Sequence, residues 1–210
     1  MATRISKAAS GMRKAPRQAR SRATVDAILD AGAQVLARRG WAKFTTNEVA
    51  ETAGVSIGSL YQYFPNKAVL VEAITRRHFD DVLRVLQAIA ADAKPTNERA
   101  ESLVAGMIAI HNVNPALHRL LMEETPISAA TRAAHDQFEA EYLRRYEILV
   151  SGVGSKHPDA AEQAAAQVLS AAVAGAIHDA ARRGSVLTCT LKQEIILLVR
   201  AYLRERRRSG

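Results

Sequence analysis

The sequence predicts an all-α fold in two parts: a small N-terminal domain of three helices, then a larger helical domain. Three observations predict it. Apolar residues recur at three- and four-residue spacing through almost the whole chain, with no alternating strand pattern of weight. Gly40, Gly54, Pro65, Pro95, Pro115, Pro126, Pro158 and Gly184 punctuate these stretches. Alanine is abundant and aromatics are only 5%, which favours helices packed closely on small side chains.

Each element has a local reason. Residues 1–21 are Lys, Arg, Ala and Ser with no acid, and read as a disordered basic arm. From Thr24 to Arg39, Val25, Ile28, Leu29, Val35 and Leu36 form a helical stripe that tolerates Gly32, and Gly40 ends it. Trp41 and Phe44 pack behind the two short helices after them. Thr45 with Glu48 three residues on is a capping box, and it starts a helix with Val49, Ala50 and Ala53 on its apolar face. Gly54 turns the chain, and Val55 plugs the angle. Ser56 caps a second short helix, Ile57 to Phe64, buried on Leu60 and Phe64 and stopped by Pro65. Asn66 caps a long helix from Lys67 to about Ala93, with Leu70, Ile74, Phe79, Val82, Leu86 and Ile89 inward. Lys94–Asn97 is a turn. Further helices are expected over about 98–111, 116–123, 128–150, 159–183 and 191–207, with 152–158 a loop.

Helix, glycine turn, short helix is the helix-turn-helix pattern, whose second helix enters the major groove. An ordinary helical hairpin is the alternative. The outward residues argue against it: Ile57, Gly58, Ser59, Gln62 and Tyr63 carry hydroxyls, an amide and no acid, and Lys67 lies close behind. Charge points the same way. Residues 1–67 hold eleven Lys and Arg against four acids, whereas residues 68–210 hold eighteen against seventeen, so nearly all of the net +8 lies in the first third. A polyanion bound there explains this asymmetry, and a solubilising tail is the alternative for the arm.

Gly40-Trp41, Phe44-Thr45-Thr46, Val49-Ala50, Ala53-Gly54-Val55-Ser56, Gly58-Ser59-Leu60-Tyr61-Gln62-Tyr63-Phe64 and Lys67 resemble the DNA-binding domain of the TetR family of bacterial transcriptional regulators. The resemblance covers roughly residues 22–70. It implies a DNA-facing set of Thr45, Thr46, Asn47, Ser56, Ile57, Gly58, Ser59, Tyr61, Gln62, Tyr63 and Lys67. Thr46, Ser56, Tyr61, Tyr63 and Lys67 correspond to phosphate-contacting positions. Asn47, Ile57, Gly58, Ser59 and Gln62 correspond to positions that read bases. The implied domains are the arm (1–21), the helix-turn-helix domain (22–67) and a helical effector-binding and dimerisation domain (68–210).

The second domain carries two expectations. Its last two helices hold more apolar surface than one chain hides, which suits a homodimer interface; burial inside one core is the alternative. Phe79, Met107, His111, Met122, Phe138, Tyr142 and His178 are large or polarizable groups among many alanines, and suit a largely apolar pocket for a small-molecule effector.

Catalytic residues, metal ligands and cofactors are not expected. No phosphate-binding glycine loop or dinucleotide fingerprint occurs, and no two of the six histidines stand at i, i+4. Glu123-Glu124 beside His118 reads as a solvated helix end. A single cysteine, Cys189, excludes an intrachain disulfide. No apolar run approaches the ~20 residues of a membrane span, and the basic N-terminus lacks a signal peptide's apolar segment. The whole reads as a cytoplasmic, homodimeric repressor that leaves a palindromic operator on the DNA duplex when an effector binds. The other readings are a constitutive DNA-binding protein of the same fold and, from another class, an enzyme with an appended helix-turn-helix.

Deleting residues 1–20 removes six cations, Arg4, Lys7, Arg13, Lys14, Arg17 and Arg20. The expected outcome is unchanged helical content by circular dichroism, with weaker and less salt-sensitive DNA binding in a salt titration. Unfolding of the truncated chain would show the arm to be structural.

Overall fold

The computed structural model describes residues 19–90, 95–114, 116–126, 129–151, 158–183 and 188–209. The described residues form nine α-helices and one π-helical turn: α1 (Ala19–Lys43), α2 (Thr46–Thr52), α3 (Ile57–Tyr63), α4 (Lys67–Ala90), α5 (Thr96–Val113), α6 (Leu117–Arg119), the π turn (Leu120–Glu124), α7 (Ala129–Ser151), α8 (Ala160–Arg182) and α9 (Cys189–Ser209). Residues 1–18 of the basic arm, all of the 152–158 loop but Pro158, and Gly184 lie outside the described residues. The chain divides into two compact units: one runs to Asp80 and takes in Ala116–Ala134, and the other comprises Asp81–Pro115 and His135–Gly210.

The first unit is built on α1. That helix starts at Ala19, five residues before the expected Thr24, because Ala and Arg of the arm's end are good helix formers. Gly40, at φ 70°, kinks it near its end. Thr45 accepts a hydrogen bond from the Glu48 amide and so caps α2, but the reciprocal half of the expected capping box is not made. The Glu48 carboxylate turns outward to Arg38 and Arg39 instead, because two guanidiniums offer it more than one backbone N–H. Gly54, at φ 67°, closes a Schellman turn: its N–H donates to the Glu51 carbonyl, and that of Val55 to Ala50. Ser56 caps α3, and Asn66 caps α4 through the Val69 amide. Val25, Ile28, Val35, Leu36, Phe44, Val49, Leu60, Phe64, Leu70 and Ile74 share one core.

That core is completed from further along the chain. Leu117, Leu120 and Leu121 are buried in it. In place of the simple helix expected over 116–123, α6 widens into the π turn. The Thr125 N–H donates to the Leu120 carbonyl and its hydroxyl to that of Leu121. The wider turn lets both leucines face inward. Arg77 of α4 also ties back to α1, donating to Asp30 at 2.5 Å and to the Asp26 carbonyl at 3.3 Å.

In the second unit α5 packs against both α8 and α9. Leu103, Val104 and Met107 of α5 are buried, as are Leu169, Val173 and Ile177 of α8 and Ile195, Ile196, Val199 and Leu203 of α9. Asp159 and Glu162 form a complete capping box at the start of α8. Thr96 and Asn97, expected in a turn, begin α5, which runs to Val113 rather than His111. Of the last helix, expected to serve the dimer interface, Ile196 and Val199 are buried in this unit. Its apolar residues split into two faces, and Leu197 and Leu198 point outward at 60% and 48% exposure.

Gly106 marks a close approach of α5 to α4 in this unit: a β-carbon there would lie 2.5 Å from Val85 Cγ1. Gly106→Ala is expected to cost about 1–3 kcal/mol through overpacking, despite alanine's better helix propensity. Urea denaturation of the single variant and of the pair with Val85→Ala checks this. The pair should recover most of the loss, and equal stability of Gly106→Ala and wild type would refute the clash.

Candidate nucleic-acid interface

The interface is assembled by the inner face of α3. Leu60 and Phe64 are fully buried and fix the helix on the core. Tyr63 joins them at 7% exposure, its ring 6.5 Å from that of Phe64. This corrects its placement on the outward face: three residues after Leu60 and one before Phe64, it shares their side of the helix. The outer face carries Ile57 (38% exposed), Gly58, Tyr61 (40%) and Gln62.

Its hydroxyls are largely committed to one another. Ser56 Oγ and Ser59 Oγ are 2.8 Å apart, and Ser56 Oγ also accepts from the Ser59 amide. Thr46 Oγ1 and the Tyr61 hydroxyl are 3.0 Å apart, which bridges α2 to α3. Asn47 is exposed on α2. Lys67 Nζ sits 4.2 Å above the Trp41 ring, which stacks on buried Phe44 at 6.4 Å. Trp41 is therefore a platform for a cation at the start of α4, and its packing role stands as expected.

A further pair of cations was not among the expected site residues. Arg38 and Arg39 project from the end of α1 and share Glu48, at 2.8 and 3.0 Å. The Arg39 hydrogen bond, ahead of that of Arg38, holds the Glu48 carboxyl below its ordinary range. An adjacent Arg–Arg just before Gly40 was the available signal. No Lys or Arg occurs between Phe44 and Asn66 and α3 carries no charged side chain, so its neutral outer face is framed by cations at both ends of the motif.

The seven effector-contact candidates divide between the units. Phe79 and Met122 belong to the first; Met107, His111, Phe138, Tyr142 and His178 belong to the second. Phe79, Met107, His111 and Phe138 are buried, and Met122, Tyr142 and His178 are half-buried. Phe138, Tyr142 and Tyr146 form an aromatic ladder along α7, with centroids 5.5 and 5.0 Å apart. Tyr146 is wholly enclosed, and burial first, then neighbouring Tyr142, raises its phenol well above the ordinary value.

His111 and His178 meet with their Nε2 atoms 2.9 Å apart. His111 Nδ1 lies 2.7 Å from the Met107 carbonyl, which only accepts, so Nδ1 carries the proton. The His111 Nε2 then accepts, and His178 Nε2–H donates. Burial, then the proximity of His111, lowers His178 to about 4. Burial likewise lowers His111. Both rings are neutral near pH 7, and the stability they contribute is lost as pH falls from about 6.5 toward 4. A groove of ≈ 320 Å³ between α5 and α9, lined by Glu101, Ser102, Ala105, Lys192, Gln193 and Ile196, includes none of the seven.

A capped short helix with a neutral outer face, flanked by cations and pinned through its inner face, defines a helix-turn-helix DNA-binding protein. Residues 28–74 match the model described as bacterial regulatory proteins of the tetR family, and residues 95–203, more than half the chain, match the tetracyclin repressor-like C-terminal domain. The chain belongs to the TetR family of transcriptional regulators. It is similar to the nucleoid occlusion factor SlmA of Aliivibrio fischeri, 34% identical over 97 residues, 46% of this chain and 50% of that protein. The chain spans about half the length of the SlmA relatives it matches. Its fold is like that of a transcriptional regulator from Rhodococcus sp. Rha1, with TM-score 0.70 at 17% identity over 86% of this chain and 96% of that one. It is also like that of SmeT, the repressor of the Stenotrophomonas maltophilia multidrug efflux pump SmeDEF, with TM-score 0.61 at 22% identity over 88% and 91%. Among the described residues, no helix is long and apolar enough to cross a membrane.

Lys67→Ala is expected to weaken binding to all DNA sequences alike, lowering the slope of log affinity against log salt by about one unit. Identical salt titrations for variant and wild type would remove Lys67 from the phosphate contacts.

Proposed function

We propose that this regulator is a cytoplasmic homodimeric repressor, without catalytic activity, that leaves a palindromic operator when a largely apolar effector binds its second domain. The observation that carries the reading is the neutral outer face of α3, framed by cations and joined to α4 by only Phe64, Pro65 and Asn66. So short a link transmits a tilt of α4 to the reading helix. An effector acts by binding the DNA-incompetent arrangement more tightly than the competent one. SmeT, similar in fold, has been solved in complex with triclosan; an effector of that apolar, aromatic kind suits Phe138, Tyr142 and the neutral histidine pair here. Concentration-dependent thermal stabilisation by members of a library of lipophilic and aromatic compounds tests this. Lack of any such stabilisation, with DNA binding intact, would favour a constitutive DNA-binding protein.

The dimer face in this reading is the outer side of α8 and α9. Val168 is 56% exposed, Ala171 and Gly175 continue its row, and Leu197, Leu198 and Ala201 lie exposed on α9. Joint reading of a palindrome requires the reading helices of the two copies to sit about 34–36 Å apart, one DNA turn. A β-carbon at Gly175 meets nothing within 4 Å in the protomer. Gly175→Arg is therefore expected to keep the fold, sediment as a monomer, and lose about 100-fold or more in operator affinity with the second half-site contact. Wild type that sediments as a monomer at micromolar concentration would sink the interface.

A further inference from the structure

The chemistry of the reading face restricts which bases it can recognise. From Phe44 to Asn66 there is no Lys or Arg, and the described cations nearest the face, Arg38, Arg39 and Lys43 of α1 and Lys67 of α4, lie at its edges on other helices. Arg38 and Arg39 are held by Glu48, and Lys67 lies over Trp41. The commonest specific contact to guanine is an Arg or Lys donating to O6 and N7. Neither α2 nor α3 has a side chain that can make it. On α3 there is likewise no acid that would accept from cytosine; the exposed acid nearby, Glu51, belongs to α2.

What remains on α3 is specific in another way. The Ser56–Ser59 and Thr46–Tyr61 pairs hold the hydroxyls in place. Gly58 leaves open surface, the nearest atom to a β-carbon there being Ser56 Oγ at 3.9 Å, so DNA can approach the backbone closely. On either side of that opening stand one apolar side chain, Ile57, and one amide, Gln62, both exposed. An amide pairs with adenine through N6 and N7, and an apolar group packs on the thymine methyl. Asn47, the exposed amide on α2, has the same preference for adenine.

We propose that the half-site read by α3 is made of A·T pairs, with Gln62 taking an adenine through N6 and N7 and Ile57 packing on the 5-methyl group of a thymine. This rests on the reading of the chain as an operator-binding regulator. Along the axis, Ile57 and Gln62 are five residues apart, a rise of about 7.5 Å, so the two contacts fall on different base pairs.

Selection of the full-length chain on duplexes with a randomised segment tests it. Enriched half-sites should carry an A·T pair at two positions. Gln62→Ala should relax the preference at one of them by about 5- to 150-fold. Replacing the thymines of the enriched site with deoxyuridine removes only the 5-methyl groups. Wild type should then bind about fourfold more weakly per half-site, the worth of one buried methyl-sized group in each, and Ile57→Ala should bind both duplexes alike. Enriched sites with guanine or cytosine at the positions that Gln62→Ala or Ile57→Ala relaxes, or wild type indifferent to deoxyuridine, would overturn the base assignment and leave the operator reading standing. Enrichment of no sequence at all would overturn both.

Discussion

A seven-residue helix does not persist alone in water, because the cost of nucleation exceeds what so few hydrogen bonds return. Everything that α3 does therefore depends on the burial of Leu60, Tyr63 and Phe64 against the first unit's core. Three side chains on one side leave the other side free, while the Ser56 cap holds the start of α3 and the Phe64 N–H, donating to the Leu60 carbonyl, closes its end. The outer face can then be chosen for recognition, since none of its residues is needed for folding. The same economy appears in α2, where Val49 and Ala50 are buried and Thr46 is left to steady Tyr61.

Much of this was legible in the sequence because it is local. Helix periods, glycine turns and N-caps are set by neighbours along the chain, and α2, α3 and α4 begin where their caps place them. What escaped is decided by partners distant in sequence. Glu48 fits a capping box by spacing, yet two arginines nine and ten residues upstream compete for it. Tyr63 has a polar end that suggests an outward role, while its position on the helix buries the ring. In α9 the apolar run hides two faces, and only packing against α5 and α8 shows that Ile196 and Val199 turn inward while Leu197 and Leu198 turn out. The π turn after α6 has no motif at all; it arises because Leu120 and Leu121 are both drawn into one core.

The effector-side candidates were chosen by residue type, and type says little about which unit a side chain joins. Phe79 sits on α4 just before the point where that helix passes from one unit to the other, and Met122 lies in the π turn. His111 and His178 are 67 positions apart, so their hydrogen bond could not be read from spacing. Their neutral state results from enclosure in the fold, a property with no counterpart in the linear chain.

The first unit is assembled from two stretches of chain, and Leu117, Leu120 and Leu121 reach its core only after α5 has been made. On the ribosome, the segment through Asp80 would emerge with an apolar patch still waiting for these leucines, so the reading head matures late in synthesis. The same geometry governs protein engineering. A graft that ends at α4 leaves part of the head behind, whereas one that carries residues 116–134 with it transfers a closed core. The regulator's modularity is spatial, and its seams do not coincide with any single cut in the sequence.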